Sequence, residues 1–208
     1  MVGFCISDDE VCCHASMDEV VRRYYTALNK LATGVTDDSE VKKIALLLRQ
    51  AGITAEFRRT TVAAHKRKEE SKGEADDACA AIELDDGTII TSGSSELLGC
   101  SAALLLNATK YLAGIDHQLK LIPQSMIVPI QRMKIECLQG HNPRLHTDEV
   151  LVALAVLSTQ DENCRRALDA LPLLKGCQVH TTVMLGEVDR KIFNKLGIGL
   201  TCDPVMKR

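Results

Sequence analysis

Apolar residues recur at helical spacing in the first quarter of the chain. The first predicted helix starts near Asp18 and ends before Gly34. Its apolar face carries Val20, Val21, Tyr24, Ala27, Leu28 and Leu31. The run TDDSE (36–40) then offers N-cap residues for a second helix, and Gly52 predicts where that helix ends.

The rest of the N-terminal region is more polar. A third helix is predicted over residues 60–71, and the opening run MVGFCI (1–6) has the composition of a short strand. The charged segment KGEADD (72–77) favours a flexible joint. We therefore expect a helical N-terminal part over residues 1–73 and an α/β part over residues 74–208.

The second part opens with the pattern of a hairpin. Two β-prone runs, CAAIEL (79–84) and TIIT (88–91), flank an Asp-Gly turn, which is a strong short-range signal for a β-hairpin. The next helix, LLGCSAALLLNATKYLAG (97–114), is apolar on nearly all sides, so we expect it to be central. LKLIP (119–123) is predicted as a brief strand.

Three further helices are predicted before the C-terminal region. SMIVPIQRMKIECL (125–138) is a helix with Pro129 near its first turn, where the missing N–H costs least. VLVALAVLS (150–158) is predicted as a buried helix, and DENCRRALDALPLLKG (161–176) as an amphipathic one.

The C-terminal region predicts a β-α-β unit: strand QVHTTVML (178–185), helix EVDRKIFNKLG (187–197) and strand IGLTC (198–202). Such a connection is typical of adjacent parallel strands. We therefore expect an α/β to α+β fold that is rich in helices. Its small mixed β-sheet should contain the hairpin and the β-α-β unit, packed by buried helices.

Composition narrows the class of partner. The 208 residues carry 25 basic and 28 acidic side chains, a net charge of −3, with three Tyr, three Phe and no Trp. Stacking platforms for single-stranded nucleic acid need aromatic rings, and no apolar run reaches membrane-spanning length. The opening MVGFCISDDE also lacks the features of a signal peptide. We expect a cytoplasmic protein that binds neither nucleic acid nor membrane.

The nine cysteines have no regular spacing of the kind found in a disulfide framework. Five with apolar neighbours are predicted to be buried: Cys79, Cys100, Cys137, Cys164 and Cys177. The Cys12–His14 triplet and the Cys177–His180 pair offer metal ligands, but the paired C-x-x-C spacing of zinc sites is absent. No metal site is predicted, and the sequence leaves any cofactor unknown.

The first candidate site is the loop Thr91–Ser95 between a predicted strand and the central helix. A helix N-terminus presents unpaired N–H groups and a partial positive charge, which favour a phosphate or carboxylate. Gly93 permits close approach of a ligand, and the hydroxyls of Ser92, Ser94 and Ser95 add donors. The alternative is that Ser94 or Ser95 only caps the helix, which needs no ligand.

The second candidate site is the run HNPRLHTDE (141–149). Asn142 precedes proline and favours a turn, and Arg144 can bind a carboxylate or phosphate in bidentate fashion. His146 titrates near neutrality, so it is a candidate general acid or base that Asp148 would orient. Thr147 or His146 would cap the following helix. The alternative is a plain helix start in which Arg144 pairs with Asp148 or Glu149.

The other histidines give weaker signals. His180 lies in a predicted strand with Thr181 and Thr182, where a histidine is more often a satisfied core residue than a ligand. No partner is apparent in the sequence for His14, His65, His117 or His141.

Several long runs carry a family resemblance. They are GFCISDDEVCCHAS (3–16), LLLRQAGIT (46–54), DDGTIITSGSSELLGCSAALLLNATKYLAGID (85–116), NPRLHTDEVLVAL (142–154) and GCQVHTTVMLGEVDRKIFNKLGIGLTCDPV (176–205). In these runs the chain resembles the bacterial domain-of-unknown-function family 1846, also called uncharacterised protein family 0371. The region 57–75 departs from the family pattern, since FRRTT stands where a Pro-containing helix start is usual.

The resemblance implies a C-terminal part of a longer protein. Family members are much longer, and their N-terminal half resembles a nucleotide-binding α/β domain with a P-loop-like segment. This chain contains no GxxxxGK[ST], so no phosphate-binding residue of a P-loop is carried over.

Two functions of different classes follow as hypotheses. In the first, the chain is the C-terminal module of a longer bacterial protein and completes an anion or nucleotide pocket with the missing nucleotide-binding half, around a small phosphorylated ligand. In the second, it is a structural or oligomerisation domain without catalytic activity, and an apolar patch drives its self-association. A zinc-dependent deaminase is disfavoured, because the H-x-E and P-C-x-x-C ligands are lacking. The residues do not name a reaction, so whether the chain is an enzyme is left open.

Overall fold

The computed structural model describes residues 9–71 and 78–206 of the chain. Its N-terminal region forms three helices: α1 (Asp9–Ala32), α2 (Asp38–Gln50) and α3 (Arg59–Glu70). Asp37 caps α2, because its side chain accepts a hydrogen bond from the backbone N–H of Ser39. A small apolar cluster joins the first two helices through Val21, Tyr25 and Leu48.

The three N-terminal helices are confirmed, with one difference in length. Helix α1 begins at Asp9 rather than near Asp18. The sequence does not predict its first two turns, because residues 9–16 are mostly exposed and carry no apolar stripe that would mark them as helical. The strand predicted at residues 1–6 and the joint predicted at residues 72–77 lie outside the described residues.

Within residues 9–71 and 78–206, four strands form one mixed sheet in the order β2-β1-β3-β4. They are β1 (Cys79–Glu83), β2 (Ile89–Gly93), β3 (Gln178–Thr181) and β4 (Gly199–Cys202). Strand β1 is antiparallel to both β2 and β3, whereas β3 and β4 are parallel. The predicted hairpin and the predicted β-α-β unit are both confirmed, and pairing of β1 with β3 joins them into one sheet.

Helix α4 (Cys100–Leu112) is central, as its apolar surface predicts. Its residues Leu104, Leu105 and Ala108 pack with the sheet and with α8 (Glu187–Lys195) in one buried cluster. Its residues Ala102 and Leu106 belong to a second cluster on the opposite side. The second cluster is completed by α5 (Gln124–Arg132), α6 (Thr147–Leu157) and α7 (Glu162–Asp169).

The two faces of the sheet differ. Val179 of β3 belongs to the cluster around α4, whereas the next residue, His180, contacts Tyr25 of α1 and His65 of α3. This follows from the alternation of side chains along a strand. Helices α1 and α3 therefore cover the face of the sheet that is opposite to α4.

Some local expectations are wrong. LKLIP (119–123) is not a strand; it crosses a loop in which Leu121 and Ile122 are buried in the core by packing alone. Pro129 is the sixth residue of α5 and so lies beyond the first helical turn. Because proline has no N–H, the carbonyl of Ser125 lacks its helical hydrogen-bond donor. Ser125 is exposed to water.

Burial also departs from expectation at two places. Cys137 is exposed, because it lies in the wider helical turn Met133–Cys137 at the surface; the other four cysteines predicted to be buried are buried. Helix α6 is buried on one side only, with Val152 and Val156 65% and 57% exposed. No helix in the described part of the chain combines the length and the apolar character that crossing a bilayer requires.

Candidate functional site

The predicted site run 141–149 forms the turn that leads into α6. His146 is the N-cap, and its backbone N–H donates to Glu149 Oε2 at 2.7 Å. Lys134 Nζ donates to the same Glu149 oxygen and to the carbonyl of Arg144, both at 2.8 Å. The Lys134 ammonium thus ties the turn to the first turn of the helix and fixes the backbone on both sides of His146.

A buried carboxylate stands behind the His146 ring. Asp189, on the first turn of α8, is 5% exposed, and its Oδ2 lies 3.4 Å from His146 Nδ1. Its other oxygen accepts hydrogen bonds from the Thr147 backbone N–H at 2.9 Å and the Thr147 hydroxyl at 2.8 Å. The Thr147 bonds fix the carboxylate, so the half-exposed imidazole has a rigid partner.

This pairing shifts both titrations. The hydrogen bond to Asp189 raises the pKa of His146 above its usual 6.5, although burial opposes the change. Burial by itself would raise the pKa of Asp189, but the hydrogen bonds from His146 and Thr147 together lower it. An imidazole that titrates near neutrality beside a fixed carboxylate is the usual arrangement of a general acid or base.

Asp148 takes no part in this pair. No hydrogen bond joins it to His146 within the described residues, and its Oδ1 is buried without a hydrogen-bond partner. The carboxylate that contacts His146 lies 43 residues further along the chain. The acidic first turn of α8 was visible in the sequence, but nothing there linked Asp189 to His146.

Arg144 does not form the intramolecular pair that was the alternative. Glu149 pairs with Lys134 instead, and the Arg144 guanidinium has no ion-pair partner among the described residues. The side chain of Asn142 accepts a hydrogen bond from the Arg144 backbone N–H at 3.1 Å, which closes the predicted turn.

In the predicted loop Thr91–Ser95, two of the three serine hydroxyl groups form hydrogen bonds with nearby backbone groups. Ser92 is buried and donates to the carbonyl of Cys100, and Ser95 Oγ accepts from the backbone N–H groups of Leu97 and Leu98. Ser94 Oγ is buried and has no hydrogen-bond partner in the described residues. The N-cap of α4 is Gly99, so neither Ser94 nor Ser95 caps the helix.

The two predicted loops are neighbours. Leu98 and Leu145 form an isolated parallel bridge, with hydrogen bonds from Gly99 N to Leu145 O at 3.1 Å and from Leu145 N to Leu97 O at 2.9 Å. The turn after Gly93–Ser95 therefore runs beside the segment that carries Arg144 and His146. The bridge thus joins the segment that follows the first loop to the middle of the second.

A second cluster of titratable groups lies on the other face of the sheet. His65 Nε2 is 2.8 Å from Asp203 Oδ2, and His180 Nε2 is 3.3 Å from Asp203 Oδ1. One ligand atom from each of these three residues lies within 4.8 Å of the others. Among the described residues this is the group of side chains that could hold a metal ion.

A cavity of about 460 Å³ adjoins this cluster. Tyr25, whose ring centroid is 4.8 Å from that of His180, and Thr201, which contacts His180 Nδ1, both line it. Other polar lining residues include Asn29, Lys30, Arg190 and Asn194. The cavity lies near the carboxyl ends of β3 and β4, where α/β folds usually bind ligands.

Comparison with known proteins identifies relatives along the whole chain. A family model described as "Domain of unknown function DUF1846, C-terminal" matches residues 56–208, and its N-terminal counterpart matches residues 1–52. Both loops and the histidine cluster lie in the part matched by the C-terminal model.

The relatives include proteins named UPF0371 protein. That of Corynebacterium aurimucosum is 52% identical over 208 residues, which are 100% of this chain and 41% of the relative. A relative in Corynebacterium glutamicum is 49% identical with the same coverage, and one in Streptococcus thermophilus is 44% identical over 98% of this chain and 40% of its own length. The chain thus spans about 41% of the length of the first of these relatives.

Proposed function

This chain belongs to the UPF0371 family, characterised by the DUF1846 domains, and we propose that it forms one wall of an anion-binding site. The other wall would come from the part of the family protein that this chain does not span. Arg144 binds the anion, and His146, held by Asp189, acts as general acid or base toward it.

The observation that carries this proposal is the His146–Asp189 pair. Its imidazole is 36% exposed while the carboxylate behind it is 7% exposed, both as side chains. A purely structural pair needs no exposed imidazole, whereas an acid–base group must reach its substrate. Asp189 takes the orienting role that Asp148 was predicted to have. Thr147 serves the site indirectly, because both of its donors are bound to Asp189.

The anion contact rests on Arg144 and its neighbours. A guanidinium without an intramolecular carboxylate retains its capacity for bidentate binding of a phosphate. Asn142 holds the Arg144 backbone, and the adjacent loop adds the buried hydroxyl of Ser94. Ser92, Gly93 and Ser95 shape that loop rather than serve as free donors. A phosphorylated small molecule, a nucleotide included, is the ligand class that these groups fit.

A phosphate titration followed by two-dimensional ¹H–¹⁵N NMR tests the anion contact. Inorganic phosphate added to the 208-residue chain should shift the amide signals of residues 93–95 and 142–147. Arg144→Ala should weaken this binding about tenfold, the worth of one charge-assisted bidentate contact.

Arg132→Ala is the matched control, because Arg132 is exposed and already paired with Glu136. Equal binding by the Arg144→Ala variant and the native chain, or shifts that map elsewhere, would contradict the proposal. The full-length C. aurimucosum relative should bind phosphate more tightly than the 208-residue chain. Equal phosphate affinity of the two proteins would contradict the proposal that the rest of the family protein contributes to the site.

An apolar groove favours the alternative function, self-association. It lies between α5 and α6, has a volume of about 480 Å³ and is lined by Met126, Pro129, Met133, Val152 and Val156 among others. Exposed apolar surface of this kind is typical of interfaces. If two copies pair through the groove, light scattering should show a dimer for the native chain and a monomer for Val156→Glu. A native chain that stays monomeric at high concentration would exclude this alternative.

A further inference from the structure

We propose that His65, His180 and Asp203 bind a divalent transition-metal ion of the zinc type. The three side chains come from α3, from β3 and from the residue that follows β4. They are independent of the His146 site, since they lie on the face of the sheet opposite to α4. Two imidazoles and one carboxylate are a ligand set that zinc and iron(II) enzymes use, with further positions left for exchangeable ligands.

The hydrogen bonds around Thr201 prepare His180 as a ligand. Thr201 Oγ accepts from Arg58 Nη1 at 2.8 Å and donates its single proton to the carbonyl of Val179 at 3.2 Å. His180 Nδ1 lies 2.9 Å from the same oxygen, and a ring protonated on Nδ1 would donate that contact. In that tautomer the imidazole presents the lone pair of Nε2 to Asp203, which is the second-sphere pattern of metal-bound histidines.

The tautomer with its proton on Nδ1 favours a cation between His180 and Asp203. In this tautomer the Nε2 lone pair of His180 lies 3.3 Å from Asp203 Oδ1, which also carries lone pairs. His180 is fully buried, so water does not screen the repulsion between them. A metal ion between the two atoms converts the repulsion into coordination.

The surrounding charges permit a divalent ion. The nearest fixed cation is the buried guanidinium of Arg58, and the carboxylate of Asp18 neutralises it at 2.7 Å. Asp203 then leaves the cluster with a net negative charge.

The cluster is accessible and close to binding geometry. The His65 side chain is 40% exposed, which provides an entry path. Ligand atoms bound at about 2.1 Å to one ion lie at most about 4.2 Å apart. The three ligand atoms lie within 4.8 Å of one another, so side-chain movements of a fraction of an ångström would bring them to binding distance.

Metal titration of the 208-residue chain tests the proposal. After treatment with a chelator, the native chain should bind one equivalent of Zn²⁺ by isothermal titration calorimetry. His65→Ala should weaken that binding at least tenfold, and Asp203→Asn should do the same; His65 is part-exposed, so the first variant avoids a buried substitution. His117→Ala is the matched control, because His117 is an exposed histidine outside the cluster, and its affinity should match that of the native chain.

Cobalt substitution separates this site from the surface thiols. Co²⁺ bound by two histidines and an aspartate shows d–d bands without a thiolate-to-cobalt charge-transfer band. A charge-transfer band would indicate Cys12, Cys13 or Cys137, which are at least partly accessible. The proposal is overturned by that band, by no Zn²⁺ binding to the native chain, or by equal affinity of His65→Ala and native chain.

Discussion

The two histidine–aspartate centres of this protein are built in opposite ways. His146 lies at the start of a helix in a polar run that the sequence already marks, and its ring is half exposed. His180 lies fully buried inside a strand, and its partners come from α1, α3 and β4. Both centres pair a histidine with a carboxylate that is largely withdrawn from water, since the Asp189 and Asp203 side chains are 7% and 18% exposed.

The difference concerns what each centre needs from the rest of the molecule. The backbone of His146 is held locally, by the capping hydrogen bond to Glu149, and only Asp189 comes from a distant part of the chain. The residues of the His180 centre come from separate parts of the chain, since Asp203 lies 138 residues from His65 and 23 from His180. We therefore expect that substitutions at the His180 centre lower the stability of the fold strongly, and that substitutions at the His146 centre lower it less.

The largest effect is expected at Arg58, which supports the His180 centre. Its side chain is 1% exposed and pairs with Asp18, so Arg58→Ala should lower the free energy of unfolding by about 3–5 kcal/mol. The neighbouring Arg59, 60% exposed and paired with Glu83, is the matched control, and Arg59→Ala should cost about 0–1 kcal/mol. Urea denaturation measures the free energy of unfolding of both variants. Equal losses would contradict the larger contribution of the buried Arg58 pair.

A smaller loss is expected at Asp189. Asp189→Ala leaves the buried Thr147 N–H without its acceptor and should cost about 2–3 kcal/mol in urea denaturation. Glu187→Ala, in the same turn of α8 but exposed and paired with Lys191, should leave the free energy of unfolding close to that of the native chain. If both variants lose the same stability, Asp189 does not join the starts of α6 and α8.

The His146 pair should make stability depend on pH. The raised pKa of His146 contributes stability that is fully present below its usual pKa and lost as pH rises through the raised value. The lowered pKa of Asp189 contributes stability that is lost as pH falls through the lowered value. The difference in unfolding free energy between the native chain and His146→Ala should therefore shrink as pH rises from about 6 to about 9, by less than about 1 kcal/mol because the ring is partly exposed. A difference that grows over this range would contradict the pairing.

The smallest effect is expected at Asp148, which was the predicted partner of His146. Its Oδ1 makes no hydrogen bond within the described residues, so Asp148→Ala should change the free energy of unfolding by less than about 0.5 kcal/mol. It should also leave the histidine titration, followed by NMR, unchanged. A shift of the His146 titration in this variant would restore Asp148 to the orienting role.

Much of the fold could be predicted because its signals are local. The Asp-Gly turn, the amphipathic stripes of α1 and α2 and the apolar surface of α4 each follow from short runs of residues. Predictions failed where burial was not set by local pattern. Leu121 and Ile122 are buried in a loop rather than a strand, and α6 is apolar yet exposes Val152 and Val156.

The candidate sites divide along the same line. The sequence by itself determined that Arg144 and His146 stand at a helix start, because caps, turns and helix dipoles act within a few residues. Only the tertiary structure decided which carboxylates meet the histidines. Asp189 reaches His146 through packing of α8 beside α6, and Asp203 reaches His65 and His180 because the parallel strands β3 and β4 end side by side beneath α3. Contacts between residues far apart in the chain depend on strand pairing and helix packing, which no short run of residues specifies.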